Sequence, residues 1–268
     1  MNDAPLGVFD SGLGGLTVAR ALFERLPRES VIYFGDTARV PYGPKSADTV
    51  RRYSSEILKF LLERGVKMVV VACNTSTAHA LDHLRKISPV PVIGVIEPGA
   101  RAAVTASKGG TLGVIGTVGT ISSGAYQRAI AALNPKAVVE GVACPLFVPL
   151  VEEGWLDHPA TELIAREYLA PFIRQAPDAV VLGCTHYPLL RAVLGRVLGA
   201  GVTLIDSGGE TAKAVQEALE AKTLQAGDSR APSHHFVVSD DAPRFRKIGA
   251  TFLGDRLRDT EVEVVSLG

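Results

Sequence analysis

Cys73 and Cys184 stand out because each follows a β-branched apolar run and precedes small polar residues. Such a run predicts a buried strand, and the polar residues after it predict the start of a helix. At a helix N-terminus the pKa of a thiol falls from about 8.5 toward neutrality, because the helix dipole stabilises the thiolate. A thiol of this kind can remove or deliver a proton near neutral pH.

The segments at 69–75 and 180–186 resemble each other, with the two cysteines in register. Chance similarity between two buried strands is one interpretation. Two related α/β halves is the other, and the matched cysteines favour it. In that arrangement the thiols would face each other across a cleft. One thiolate could remove a Cα proton from one face of a substrate while the opposite thiol delivers a proton to the other face, which inverts the configuration.

Two further polar clusters follow predicted strands. Asp10 and Ser11 open a glycine-rich segment that would let the backbone approach a ligand closely, although a turn alone would also explain it. The segment has neither dinucleotide-binding nor Walker A spacing. Tyr42 and Gly43 lie in a predicted tight loop, where Tyr42 either packs or contacts a ligand. Ligands of parallel sheets bind outside the carboxyl ends of the strands, so both clusters are candidates for the same site.

His186 lies two residues after Cys184, and this spacing leaves three interpretations open: a fragment of a metal site, a nucleophile–base pair, or no relation. A metal would need more ligands, and the sequence shows no second Cys/His cluster, so we predict no metal. Cys144 precedes mostly apolar residues and is assigned a packing role. Glu152 and Glu153 are adjacent, so at most one of them is expected to face a pocket.

The elements that must position these residues alternate along the chain. Apolar runs at 6–9, 31–34, 66–72, 92–95, 111–115, 138–142, 179–182, 202–205, 235–238 and 262–265 predict strands. Amphipathic stretches at 48–64, 75–86, 122–132, 159–175, 189–198, 209–221 and 242–248 predict helices, the first of them ended by Gly65. This alternation predicts an α/β fold with mainly parallel sheets.

Composition narrows the class of protein. The 268 residues carry 28 basic and 28 acidic side chains, a formal net charge of zero, which argues against a nucleic-acid partner. A hydrophobic fraction of 47% argues against disorder. The three cysteines form no disulfide framework for a chain of this length. The absence of a signal-peptide pattern and of any long apolar run predicts a cytoplasmic protein with no membrane partner.

Four separated motifs resemble those of the glutamate racemases and occur in the order of that family. They are VFDSGLGG at 8–15, YFGDTARVPYG at 33–43, ACNT at 72–75 and GCTHYP at 183–188. The resemblance extends from about residue 6 to residue 207 and includes both cysteines. It therefore covers most of the chain.

The resemblance implies a role for each matched residue. Cys73 and Cys184 would be the two catalytic bases, acting on D-glutamate and L-glutamate respectively. Asp10 would assist Cys73, and His186 and Glu152 would assist Cys184. The implied substrate contacts are Asp10, Ser11, Tyr42, Gly43, Asn74, Thr75, Thr117, Thr120, Thr185 and His186.

The resemblance also implies two similar α/β lobes with the site in the cleft between them. The first would contain residues 1–96 and 207–268, and the second residues 97–206. It further implies a homodimer that uses no cofactor, takes glutamate as its small-molecule substrate and supplies D-glutamate for peptidoglycan.

Three alternatives remain at the level of sequence. The first is a racemase of aspartate or hydantoin with the same two-thiol chemistry. The second is a hydrolase or transferase that uses Cys184 and His186, which would leave Cys73 unexplained. The third is a two-lobed binding protein of the periplasmic type, against which the paired cysteines and the missing signal peptide argue.

Overall fold

The computed structural model describes residues 2–227, 231–257 and 260–267. Within them the strands are β1 (Leu6–Asp10), β2 (Val31–Gly35), β3 (Met68–Val71), β4 (Val92–Gly94), β5 (Thr111–Gly116), β6 (Val138–Ala143), β7 (Ala179–Gly183), β8 (Thr203–Asp206), β9 (His234–Val238) and β10 (Val262–Val264). The α-helices are α1 (Leu16–Arg25), α2 (Ala47–Glu63), α3 (Asn74–Ile87), α4 (Ile96–Ala106), α5 (Val118–Ser122), α6 (Ala125–Leu133), α7 (Phe147–Glu152), α8 (Pro159–Tyr168), α9 (Ala170–Arg174), α10 (Arg191–Leu198), α11 (Ser207–Ala221) and α12 (Ala242–Leu253).

The strands form two parallel sheets. The first has the order β10-β9-β2-β1-β3-β4, and the second has the order β6-β5-β7-β8. Every strand pair in the described part of the chain is parallel. The predicted α/β class with mainly parallel sheets is therefore confirmed.

The two sheets repeat one topology. The order β2-β1-β3-β4 in the first corresponds strand by strand to β6-β5-β7-β8 in the second. Cys73 follows the third strand of the first set within two residues, and Cys184 directly follows the third strand of the second. The sequence similarity between these two segments thus coincides with equivalent positions in two similar sheets.

Apart from Asp10 at the end of β1, the central strands consist of apolar residues, tyrosine and glycine, as is typical of parallel sheets that are covered on both faces. All residues of β1, β2, β3 and β7 are buried. Helix α2 begins where the Ser46 side chain accepts a hydrogen bond from the Thr49 N–H, and Gly65 follows its end with a φ of +72°. The predicted stop at Gly65 is confirmed.

Several predicted boundaries differ from the structure. Helices α1, α4 and α7 were not predicted. The stretch 122–132 contains the end of α5 and most of α6, with Gly124 between them at a φ of +65°. The stretch 159–175 contains α8 and α9, which part next to Pro171, a residue with no backbone N–H to continue a helix. Strand β3 is shorter than the predicted run 66–72.

The distribution of strands supports the division of the chain into two lobes. Strands of the first sheet come from residues 6–94 and 234–264, and those of the second come from residues 111–206. Helix α11 packs against both α1 and α4. We keep the boundaries 1–96 plus 207–268 and 97–206 as a proposal. Among the described residues, none of the helices combines the length and the apolar character that crossing a bilayer requires.

Candidate active site

Cys73 lies between β3 and α3 and is the N-cap residue of α3. Its Sγ accepts a hydrogen bond from the Ser76 N–H at 3.4 Å and lies 3.6 Å from Ser11 Oγ. The predicted lowering of its pKa is wrong. Burial, followed by the negative charge of Asp10, raises the pKa of Cys73 to about 11, and the hydrogen bonds with Ser76 and Ser11 only partly oppose this rise. Cys73 is therefore a thiol at neutral pH when no substrate is bound.

Asp10 ends β1 and connects the two halves of the site. Its Oδ2 accepts the Gly12 N–H at 3.1 Å, and its Oδ1 accepts the Thr185 hydroxyl at 3.5 Å. Burial raises its pKa, while the charge of His186 and the N–H groups of Gly15 and Gly12 oppose the rise. A fully buried carboxyl thus lies between the first thiol and the segment that carries the second.

Cys184 directly follows β7 and is buried. The helical turn after it is a short 3-10 turn (Tyr187–Leu190), and α10 begins only afterwards, so the expected α-helix N-terminus is not adjacent. The sulfur instead lies 3.9 Å from Nδ1 of His186.

His186 forms a chain of charges with two residues from other elements. Its Nε2 donates to Glu152 Oε1 at 3.1 Å, and Arg244 Nη2 lies 3.3 Å from Glu152 Oε2. Burial alone would lower the pKa of His186, but hydrogen bonds to Cys184 and Glu152 and the charge of Asp10 raise it to about 10. Burial would raise the pKa of Glu152, but His186 and Arg244 lower it. At neutral pH the imidazole is protonated and the carboxylate is charged.

Hydroxyl and backbone groups from segments that follow strands of both sheets meet near Cys73. Thr75 Oγ1 lies 2.9 Å from Thr117 Oγ1 and 3.3 Å from Thr120 Oγ1. The carbonyl of Gly43 accepts a hydrogen bond from the Gly119 N–H at 2.9 Å, which joins the loop after β2 to α5. The hydroxyls among these neutral groups can donate hydrogen bonds to a carboxylate of a ligand without adding charge.

Tyr42 packs in the interior. Its side chain is buried, and its hydroxyl donates a hydrogen bond to Asp36 Oδ2. The structure therefore favours packing over a side-chain ligand contact for Tyr42. A contact between a ligand and the backbone at Tyr42 stays a prediction.

The segments that follow β1 and β7 approach closely at Gly14. A Cβ atom added there would lie 2.3 Å from Thr185 Oγ1 and 2.4 Å from His186 Nδ1, distances that only glycine avoids. A cavity of about 360 Å³ opens nearby, between the loop at 40–44 and residues 117–118, 145–149 and Glu152. A groove of about 490 Å³ runs along α3 and α6, and one of about 720 Å³ runs along α2 and α3; neither is lined by any of the predicted site residues.

Cys144 is fully buried, and its Sγ lies 3.6 Å from the Val142 carbonyl. The Cys144→Ala variant should lose about 1 kcal/mol of unfolding free energy, because it deletes one buried sulfur from a packed core. Its activity should stay within about twofold of the native protein, since no proposed step uses this thiol. Thermal unfolding and turnover, measured together, check both parts. A tenfold loss of turnover at unchanged stability would contradict the packing role.

Sequence analysis missed two residues that the structure places beside the candidate site. Arg244 comes from α12 and contacts Glu152, while Tyr126 comes from α6 and donates to Asn74 Oδ1 at 2.7 Å. Neither lies within a motif, and no pattern in the sequence signals them. Among the described residues, no three His, Cys, Asp or Glu side chains are grouped to hold a metal ion.

The fold and the site define this chain as an α/β enzyme with ionisable groups gathered between two parallel sheets. It belongs to the Asp/Glu/hydantoin racemase family, whose model matches residues 11–215. The chain is 52% identical over 254 residues to a glutamate racemase of Geobacter metallireducens, covering 95% of this chain and 94% of that protein.

Solved structures agree with this assignment. The fold matches glutamate racemase from Francisella tularensis in complex with D-glutamate, with a TM-score of 0.93, 39% identity and coverage of 100% of this chain and 99% of that one. It also matches the isoform RacE1 of glutamate racemase from Bacillus anthracis, with a TM-score of 0.93, 39% identity and coverage of 100% and 98%.

Proposed function

We propose that this protein interconverts L-glutamate and D-glutamate by a two-base reaction, in which one of the thiols Cys73 and Cys184 removes the Cα proton and the other delivers its own proton to the opposite face. The observation that carries the proposal is one buried thiol after the third strand of each of two similar sheets, with Asp10 and His186 between them. Two relatives with 52% and 51% sequence identity to this chain are named glutamate racemase, which supports glutamate as the substrate.

The two sides of the site would be charged differently before substrate binds. Cys73, with its raised pKa, holds its proton, and the buried Asp10 is the nearest group that could accept it. The ammonium group of a bound glutamate would bring positive charge beside this pair, which favours the thiolate of Cys73. Asp10 could also hold that ammonium directly, and either role places it on the Cys73 side.

On the other side, the protonated His186 lies 3.9 Å from Cys184 Sγ. A cation at this distance stabilises negative charge on the sulfur, so Cys184 can act as the base toward L-glutamate. When the direction reverses, Cys184 carries the proton and delivers it to the carbanion. Glu152 keeps the imidazole oriented and charged throughout.

The substrate carboxylates would be held by neutral donors. We propose Ser11, Gly43, Asn74, Thr75, Thr117, Thr120 and Thr185, together with the backbone at Tyr42, as contacts for them. Fixed hydroxyl, amide and backbone N–H donors can also stabilise the charge that develops on the α-carboxylate as the proton leaves. Closure of the lobes around glutamate would exclude water from both thiols.

We further propose that the reaction needs no cofactor, that the protein is a cytoplasmic homodimer, and that its D-glutamate serves peptidoglycan synthesis. The resemblance of the four motifs supports these points. The two thiols, with Asp10 and His186, would supply both proton acceptors and proton donors, which leaves no step for a cofactor to perform.

The test uses purified protein with no added cofactor. Circular dichroism should show the signal of either glutamate enantiomer decaying to zero, because the equilibrium constant of a racemisation is one. Aspartate at the same concentration should decay at least about 100-fold more slowly, since a side chain shorter by one methylene misplaces the distal carboxylate. A stable glutamate signal would refute the proposal, and a faster decay with aspartate would reassign the substrate.

The geometry of Cys184, His186 and Glu152 also resembles a nucleophile, its base and an orienting carboxylate, which keeps a hydrolase as a second candidate. Such an enzyme would form an acyl adduct on Cys184. Mass spectrometry of the intact protein after incubation with activated esters would detect the adduct. Racemisation of glutamate that depends on Cys73 would exclude this candidate as the main activity.

A further inference from the structure

Tyr126 lies at the junction of the two lobes. It belongs to α6 and only 1% of its surface is exposed. Its ring packs directly on the end of β7, because a Cβ atom at Gly183 would lie 3.1 Å from Tyr126 Cε2. Gly183 immediately precedes Cys184, so this ring supports the segment that carries the second thiol.

The hydroxyl of Tyr126 contacts the residue that follows the first thiol, Cys73. It donates a hydrogen bond to Asn74 Oδ1 at 2.7 Å, and Asn74 directly follows Cys73. Because Oδ1 accepts this bond, the orientation of the Asn74 amide is set and its Nδ2 is directed away from Tyr126. One side chain of the second lobe therefore fixes a polar group of the first.

The amide donor of Asn74, Nδ2, is not used by this hydrogen bond. Nδ2 is buried and finds no hydrogen-bond partner among the described residues. A buried donor without a partner is costly, and such groups in native proteins commonly await a ligand or water. A carboxylate oxygen accepts hydrogen bonds and carries the charge that would make this bond strong.

We infer that Tyr126 is a positioning residue, which holds the Asn74 amide so that Nδ2 donates to a carboxylate of the substrate. This inference rests on the proposed function and deepens it. Without the tyrosine hydroxyl the amide could turn over and direct its oxygen toward the carboxylate, where two acceptors would repel each other. Burial, followed by the charges of Cys184 and Asp206, raises the pKa of Tyr126, so the phenol stays neutral and keeps its donor.

The Tyr126→Phe variant removes the hydroxyl and keeps the ring. We expect kcat/KM to fall about tenfold for both enantiomers, mainly through KM, because one hydrogen bond to a charged group loses its fixed donor. Tyr187→Phe is the matched control. Tyr187 is also fully buried, but its hydroxyl donates to the Cys144 carbonyl at 2.8 Å. This control should lose similar stability and keep kcat/KM within about twofold.

A double-mutant cycle separates positioning from a general structural effect. In the Asn74→Ala background, adding Tyr126→Phe should change kcat/KM by less than about twofold, since the group that Tyr126 orients is gone. If the two effects multiply instead, Tyr126 acts independently of Asn74 and the inference is overturned. Asn74→Ser offers a second background should the alanine variant fail to fold.

Nuclear magnetic resonance reports the amide without turnover. The sequence contains three asparagines, Asn2, Asn74 and Asn134, so selective ¹⁵N labelling gives few side-chain signals. The Asn74 amide should be protected from solvent exchange and should shift when D-glutamate is added, and Tyr126→Phe should abolish the protection. If the native protein racemises glutamate but Tyr126→Phe changes neither kcat/KM nor these signals, only this inference fails. Absence of racemisation by the native protein would instead refute the proposed function.

Discussion

Replacing either Cys73 or Cys184 by alanine should abolish racemisation from both enantiomers, by at least about 10³-fold in kcat/KM. The reason is that each direction needs one sulfur to remove the proton and the other to deliver it. Since the equilibrium constant is one, kcat/KM must fall equally in the two directions. Circular dichroism with L-glutamate and D-glutamate measures both losses.

The two variants should differ in hydrogen exchange. In heavy water Cys184→Ala keeps Cys73, so it should exchange the Cα proton of D-glutamate for deuterium without inversion and leave L-glutamate unlabelled. Cys73→Ala should show the reverse preference. Cys144→Ala provides the control for removal of a buried thiol and should racemise normally. Racemisation by Cys184→Ala at more than about a tenth of the native rate would show that one base serves both faces.

Replacing His186 by asparagine should lower kcat/KM about 100-fold at neutral pH. The imidazole lies 3.9 Å from Cys184 Sγ and is protonated because Cys184, Glu152 and Asp10 together raise its pKa to about 10 despite burial. Asparagine keeps a polar side chain but no charge, so the sulfur of Cys184 loses the positive charge beside it. Steady-state kinetics from both enantiomers check this loss, and a change below about threefold would contradict the role of His186.

Glu152→Gln isolates the charge from the hydrogen bond. Glutamine can still accept the Nε2–H of His186, but the negative charge that favours the imidazolium is gone, so the pKa of His186 should fall. Activity that needs the imidazolium is lost as the pH rises through its pKa. The alkaline limb of the pH profile of kcat/KM should therefore move to lower pH in this variant, with about a tenfold loss at pH 9 compared with the native protein. An unchanged alkaline limb would show that Glu152 does not set the charge of His186.

Most of the fold could be predicted from the sequence because buried strands of a parallel sheet are continuous apolar runs. Helix α4 was missed because Pro98 and Gly99 are typical of turns, yet both lie in its first turns, where proline needs no N–H bond. Helix α1 was missed because it begins after Gly15 without a side-chain cap, inside a segment that resembles a flexible loop. Tertiary packing against α11 and α12 holds it in place.

The candidate site could be predicted as far as residue types and their place at strand ends. The protonation of Cys73 could not, because it depends on Asp10 and on burial, which only the folded sheet brings together. The positions of Arg244 and Tyr126 could not be predicted either, because each contacts the site from a helix that is distant in sequence and carries no motif. The sequence pattern therefore identifies which residue types form the site, and the packing of the folded chain determines their protonation states.

Early deuterium incorporation in the native protein tests the two-thiol mechanism most directly. The reaction starts from protiated L-glutamate in heavy water and is stopped after about a tenth of the substrate has inverted, when the return reaction is still small. The enantiomers are separated, and the deuterium content of each is measured by mass spectrometry. The two-thiol mechanism predicts deuterium at Cα in the D-glutamate formed and none in the remaining L-glutamate. Deuterium appearing as fast in the remaining L-glutamate as in the product would contradict it.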